Sequence, residues 1–185
     1  MSDIVYLLHG FNVKDGGDDT INKLSGPFYA AGYIVRTIQY GHIGRFGVRT
    51  CNDNIAEAIA STVEPGSTIV AHSNGGALVE MAAERGAIFK QAFLINPALD
   101  SDRYIKNCHN TTVYFSPTDF WTKLAAWIPM DRWGNMGCKG YTGPRVGINN
   151  INLDLLAGEP VGHSGIFENE ERVRALYASI RSYMI

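Results

Sequence analysis

Short apolar runs rich in β-branched residues alternate along the chain with longer segments whose apolar residues recur at helical spacing. This alternation is typical of βαβ units, in which parallel strands are joined by helices. The predicted strands lie at residues 4–8, 33–39, 68–71, 91–95, 112–115 and 148–153. Three of them are nearly continuous apolar runs, as expected of strands that helices cover on both faces. The pattern therefore predicts an α/β protein with a mostly parallel sheet.

Helical patterns fill the segments between these strands. The predicted helices lie at residues 18–31, 52–63, 73–85 and 168–183. Pro65 and Gly66 stop the second helix, and Gly86 provides a C-cap for the third. The last helix begins with acidic residues, which the helix dipole favours at that end, and its apolar residues follow at helical spacing.

The segment 120–144 does not fit this alternation. It contains Trp121, Trp127 and Trp133, together with prolines and several glycines. We expect a short helix near residues 121–127, followed by an ordered loop. The segment could form a small lid over a site.

Length, charge and cysteine content narrow the function classes. The 185 residues fit a single domain over residues 1–185. The net charge is −2 and the basic residues are scattered, which gives no electrostatic case for binding nucleic acid or an anionic membrane. The three cysteines match no metal motif and are expected to be free thiols. The sequence shows neither a signal peptide nor a membrane-spanning run, so we expect a cytoplasmic protein.

The motif IVAHSNGG carries the strongest chemical signal, because Ser73 follows a β-branched strand and precedes a helix rich in small residues. This small-x-Ser-x-small pattern is the nucleophile elbow, in which serine occupies a tight, strained turn. Ala71 replaces the more common glycine two positions before the serine, and Gly75 follows two positions after it. The alternative is that Ser73 only caps the helix and performs no chemistry.

The motif YLLHGF ends the first predicted strand and supplies the second signal. A hydrolase that forms a tetrahedral oxyanion needs preorganised donors aimed at that oxygen. The backbone N–H groups of Phe11 and Asn74 are the predicted donors of this oxyanion hole. Gly10 allows the sharp turn, and His9 is interpreted as a buried histidine that braces the loop rather than as a proton carrier.

The motif GHSG places His163 between the last predicted strand and the last helix. A catalytic base belongs on a loop at the carboxyl end of the sheet, and small neighbours leave the imidazole accessible. His42, His72 and His109 are less well placed for this role. A histidine in such a loop is often only a surface residue, but its position relative to the other motifs favours a base.

An acid is needed to orient the imidazole of His163. The motif SPTD ends at Asp119, just after the fifth predicted strand. Asp100 and Asp102, after the fourth strand, are alternatives. Both lie farther from their strand and could instead cap a short helix predicted at residues 101–107, which favours Asp119.

Taken together, these motifs resemble the α/β-hydrolase superfamily over nearly the whole chain. The order Ser73, Asp119, His163 is the order of that superfamily. The resemblance implies a three-layer fold with a minimal six-stranded, mostly parallel sheet in the order 2-1-3-4-5-6. The chain looks similar to small, nearly capless members of about this size.

The resemblance implies hydrolysis of a carboxylic ester through a Ser-His-Asp triad and an acyl-enzyme. The alternatives are an amidase, peptidase, thioesterase or acyltransferase with the same residues, or a non-catalytic binding protein on this fold. Phe11, Phe120 and Trp121 are candidate substrate contacts, although each could instead be a packing residue. A small-molecule or acyl substrate is the expected partner, and the mechanism needs neither a metal nor an organic cofactor.

Overall fold

The sheet of the computed structural model contains six strands, and the structure describes residues 3–10, 15–40, 48–125 and 133–184. The strands are β1 (Ile4–Leu8), β2 (Ile34–Ile38), β3 (Ser67–His72), β4 (Phe89–Ile95), β5 (Cys108–Phe115) and β6 (Ile148–Asn152). They lie in the order β2-β1-β3-β4-β5-β6, and every pairing between them is parallel. The predicted strand order is therefore confirmed.

Seven α-helices lie among the described residues: α1 (Ser25–Ala30), α2 (Val48–Thr62), α3 (Asn74–Glu84), α4 (Phe120–Ala125), α5 (Met136–Lys139), α6 (Leu153–Ala157) and α7 (Glu170–Tyr183). Alternate residues of the strands face opposite sides of the sheet. Leu8 packs in one core cluster with residues of α2 and α3, whereas Leu7 packs in a second cluster with residues of α1 and α7. Helices therefore cover both faces, which confirms the three-layer prediction.

The start of the first helix differs from the prediction of a helix over residues 18–31. Asp15 accepts hydrogen bonds from the N–H groups of Gly17 and Asp19, which holds this stretch in turns. A 3₁₀ helix at Ile21–Leu24 follows before α1 begins at Ser25. Pro27 lacks an N–H and so cannot extend one continuous helix, but it is tolerated in the first turn of α1.

Two other local predictions need correction. Residues 101–107 contain turns instead of a short helix, and Asn107 has a left-handed φ of 51°, which does not continue a helix. The last strand ends one residue early, because the Asn152 side chain caps α6 through the N–H groups of Asp154 and Leu155. Within 120–144, the predicted short helix is α4, and α5 was not expected. Residues 126–132 of that segment, which carry Trp127, lie outside the described residues.

The arrangement brings the carboxyl ends of the central strands to one edge. In the register of the sheet, Leu8 lies beside Ala71, and His72 beside Ile95. The loops that follow β1, β3, β4 and β5 consequently meet there. In the described part of the chain, no helix is long and apolar enough to cross a membrane, and no cluster of side chains could hold a metal ion.

Candidate active site

Ser73 lies between β3 and α3 in a strained turn. Its φ of 57° and ψ of −123° place it in a backbone region that residues other than glycine rarely adopt. The N–H of Ser73 donates to the carbonyl oxygen of Ile95 at 3.0 Å, which fixes the turn to β4. The Ser73 hydroxyl makes no capping bond to α3. Capping of the helix, the alternative role, therefore does not account for this side chain.

Small residues around Ser73 allow the neighbouring backbones to approach it closely. A Cβ on Gly10 would lie 2.8 Å from the Cβ of Ser73. A Cβ on Gly75 would lie 2.9 Å from the carbonyl oxygen of His9, and one on Gly76 would lie 2.7 Å from the Cβ of Pro97. Real Cβ atoms essentially never come this close, so a side chain at any of the three positions would force its neighbours to shift.

A chain of hydrogen bonds joins Ser73, His163 and Asp119. The Ser73 Oγ lies 2.9 Å from His163 Nε2, and His163 Nδ1 lies 2.8 Å from the Oδ2 of Asp119. An ionised carboxylate only accepts, so Nδ1 carries the proton and Nε2 is free to accept from the serine hydroxyl. The structure thus brings together the three residues that the sequence singled out.

Asp119 is fully buried, and its second oxygen is also engaged. The N–H of Thr122 donates to its Oδ1 at 3.1 Å. Of the alternative acids, Asp102 is exposed and Asp100 lies against Gly134. Asp119 is therefore the one of these three aspartates that is shown in contact with the imidazole of His163.

His9 and Tyr40 brace the loop after β1. The His9 ring is 1% exposed, contacts the carbonyl oxygen of Gly10 through Nδ1 at 2.8 Å, and stacks on Tyr40 at a centroid distance of 4.2 Å. The Tyr40 hydroxyl donates to the Gly10 carbonyl oxygen at 2.6 Å. Burial lowers the pKa of His9 and raises that of Tyr40, so both groups stay neutral. Phe11, the next residue after this braced loop, lies outside the described residues.

Asn74 is the first residue of α3, so its N–H is among those that have no partner within the helix. Its side chain is fully buried and bonded from two directions. Asn52 of α2 and Asn74 exchange amide hydrogen bonds at 3.2 and 3.3 Å, and the indole N–H of Trp133 donates to the Asn74 Oδ1 at 2.9 Å. Neither Asn52 nor Trp133 lies in a local motif, so their contacts with Asn74 were not predicted from the sequence.

Asp154 connects the loop that carries Asp119 to the loop that carries His163. Its carboxylate accepts from the Ser116 hydroxyl at 2.6 Å, the Thr118 hydroxyl at 3.1 Å and the N–H of Val161 at 3.0 Å. Burial acts to raise the pKa of Asp154, but these hydrogen bonds outweigh it and lower the pKa below its ordinary value. No local motif around Asp154 points to this role.

Phe120 and Trp121 begin α4, directly after Asp119. Their side chains are 65% and 58% exposed, and the two rings meet edge to face at a centroid distance of 6.2 Å. They lie on the surface beside the site and not in the core, so packing does not explain them.

No protein-family model and no curated protein sequence matches the chain. Solved structures do match it. The chain is similar to alpha/beta hydrolase domain-containing protein 10 from mouse, with a TM-score of 0.66 at 10% identity, over 98% of this chain and 89% of that one. A monoacylglycerol lipase from Paleococcus ferrophilus gives 0.63 at 13% identity, over 97% and 93% of the two chains. An esterase domain from a Rhodothermus marinus protein gives 0.58 at 14%, over 98% and 85%.

Identities this low show the fold alone. Each of these similarities extends over nearly all of the chain. The strand order and the helices on both faces agree with them. The chain therefore has the α/β-hydrolase fold.

Proposed function

We propose that this protein is a serine hydrolase that cleaves carboxylic esters through an acyl-enzyme. The observation that carries the proposal is the hydrogen-bonded chain from Ser73 through His163 to the buried Asp119. A serine, a neutral imidazole and a buried carboxylate in this order are the parts that nucleophilic acyl transfer needs. The strained backbone of Ser73 supports the proposal, because residues held in such rarely populated conformations cluster at functional sites.

In the acylation step, His163 Nε2 accepts the proton of the Ser73 hydroxyl while Oγ attacks the ester carbonyl carbon. Asp119 holds the ring and stabilises the imidazolium that forms, without taking up its proton. The backbone N–H groups of Asn74 and Phe11 are proposed to hold the oxyanion. The imidazolium then donates its proton to the departing alkoxide, and the acyl group stays on Ser73.

Deacylation repeats the same chemistry with water as the nucleophile. His163 Nε2 removes a proton from water while the water oxygen attacks the acyl carbon. The imidazolium then donates that proton to the Ser73 oxygen as the bond between Ser73 and the acyl group breaks. The two steps use no metal or organic cofactor.

An ester with an apolar acyl or alkyl group is the proposed substrate. Phe120 and Trp121 present exposed aromatic surface directly beside Asp119, where they could contact such a group. Structurally similar proteins include a monoacylglycerol lipase and an esterase domain, which supports an ester over an amide.

A panel of p-nitrophenyl esters of increasing acyl length tests the proposal, with matched anilides and thioesters alongside. We expect hydrolysis of esters, faster than that of the anilides, and its loss in Ser73→Ala. Faster cleavage of anilides or thioesters would contradict the ester assignment. Ester hydrolysis that persists in Ser73→Ala would contradict the mechanism.

A further inference from the structure

The main-chain carbonyl of His163 accepts hydrogen bonds from two buried side chains. The amide Nδ2 of Asn96 lies 2.7 Å from this oxygen, and the Nε2 of His72 lies 3.0 Å from it. The same Asn96 nitrogen lies 2.7 Å from the carbonyl oxygen of Gly162. Two residues at the ends of neighbouring strands therefore hold the backbone of the residue that carries the base.

Asn96 is suited to this contact by its position and conformation. It follows β4, is fully buried, and has a left-handed φ of 42°, which asparagine tolerates better than most residues. Its own N–H donates to the carbonyl oxygen of Tyr114 in β5 at 2.8 Å. The backbone of Asn96 is thus bonded to the sheet. Its side-chain amide in turn bonds the loop of Gly162 and His163.

His72 supplies the second donor from the end of β3. A carbonyl only accepts, so Nε2 of His72 must carry the proton. Its ring is 3% exposed and lies 5.0 Å from the ring of His163 and 5.2 Å from that of Phe167. Burial, with a contribution from repulsion by His163, lowers the pKa of His72 to about 3. The residue therefore stays a neutral donor at ordinary pH and adds no positive charge beside the base.

We propose that His72 and Asn96 are positioning residues, which hold the His163 main chain so that its imidazole stays within reach of Ser73. Because it concerns the base, this inference rests on the proposed function. Gly162 beside His163 has a φ of 58°, a conformation that glycine adopts without strain, so the loop needs external contacts to fix it. The two side chains supply those contacts without touching the reacting atoms.

Four variants test the proposal. Asn96→Gly keeps the left-handed backbone free of strain and removes the amide, whereas His72→Leu removes the ring donor. His72→Gln retains an N–H donor at a similar reach. Asn107→Gly is the matched control, because Asn107 is also left-handed and its amide donates to a carbonyl, that of Ala83, far from the site.

The first readout is the kcat and KM of a p-nitrophenyl ester. We expect Asn96→Gly and His72→Leu each to lower kcat by about 10²-fold, the effect of displacing a reacting group by about 1 Å, with KM nearly unchanged. His72→Gln should recover most of that loss, and Asn107→Gly should keep the wild-type kcat. Wild-type kcat in both donor-deletion variants would overturn the proposal, as would an equal loss in Asn107→Gly.

The second readout does not depend on activity. The hydrogen-bonded Nδ1 proton of His163 can be followed by NMR, and we expect it to exchange with water faster in Asn96→Gly and His72→Leu than in Asn107→Gly. Unchanged exchange would overturn the positioning role. If the wild type hydrolyses no ester, the proposed function fails, and this exchange measurement still decides whether the two side chains hold the loop. If Asn96→Gly does not fold, His72→Leu and His72→Gln decide it alone.

Discussion

Ser73 and His163 are held in place by different means. Around Ser73, backbones approach so closely that a Cβ at Gly10, Gly75 or Gly76 would lie within 2.9 Å of a neighbouring atom. Polar side chains hold His163 instead. Asp119 contacts its ring, and Asp154 joins the loop that carries Asp119 to the loop that carries His163. Added volume should therefore damage the turn at Ser73, whereas lost hydrogen bonds should damage the loops that carry Asp119 and His163.

Removing the charge of the acid should have the largest effect on the polar side of this comparison. In Asp119→Asn, the amide cannot hold the Nδ1–H tautomer of His163, so we expect kcat to fall by about 10³–10⁴-fold. Steady-state kinetics on the preferred ester measure this loss. Asp102→Asn is the control, because Asp102 is exposed, and its kcat should stay within about tenfold of wild type. A dead Asp102 variant beside an active Asp119 variant would show that the acid follows β4.

Adding one methyl group tests the steric side. In Gly75→Ala, the new Cβ would lie 2.9 Å from the carbonyl oxygen of His9, so the loop after β1 must move away from Ser73. We expect a loss of about 1–3 kcal/mol in the free energy of unfolding, as for other overpacked sites, together with a large loss of kcat. Gly26→Ala is the matched control, because among the described residues no atom outside the local backbone of α1 lies within 4 Å of a Cβ at that position. Wild-type stability and kcat in Gly75→Ala would contradict the claim that the close approach of backbones holds the turn at Ser73.

Asp154→Asn tests the connection between the loop that carries Asp119 and the loop that carries His163. Loss of charged hydrogen bonds should cost about 1.5–3 kcal/mol of unfolding free energy at pH 7. The pKa of Asp154 is lower in the folded chain than in the unfolded chain, so its charge contributes stability above about pH 4 that is lost as the pH falls. Urea unfolding at pH 7 and near pH 3 should therefore show a gap between wild type and variant that narrows in acid. A gap of the same size at both pH values would contradict this account.

The same difference explains what could be predicted from the sequence. Steric demands around Ser73 leave a local motif of small residues, and parallel strands bring the motifs of His163 and Asp119 to the same edge. The polar contacts leave no such motif, because Asp154 acts on Ser116 from 38 positions away, and Asn52 on Asn74 from 22. The single helix predicted over residues 18–31 does not form, for a local reason. The turn around Asp15 and the proline within α1 replace it with a 3₁₀ helix followed by the short α1.

The smallest effect is expected at the rim of the site. Trp121 is 58% exposed, so Trp121→Ala should change the free energy of unfolding by no more than about 0.5 kcal/mol. If the indole contacts the substrate, KM should rise for long-chain esters and change little for acetate esters. Leu155→Ala is the control, because Leu155 is 81% exposed and belongs to α6. Equal effects of both variants on KM would exclude Trp121 as a substrate contact.

Covalent labelling with a fluorophosphonate tests the central claim most directly, because the reagent reacts with a serine that a neighbouring base activates. Intact-mass measurement should show one adduct per chain, and peptide mapping should place it on Ser73. Ser73→Ala should stay folded and take up no label, and His163→Ala should react far more slowly than wild type. An adduct on another serine, or a folded wild-type protein that takes up no label, would contradict the assignment of Ser73 as the nucleophile.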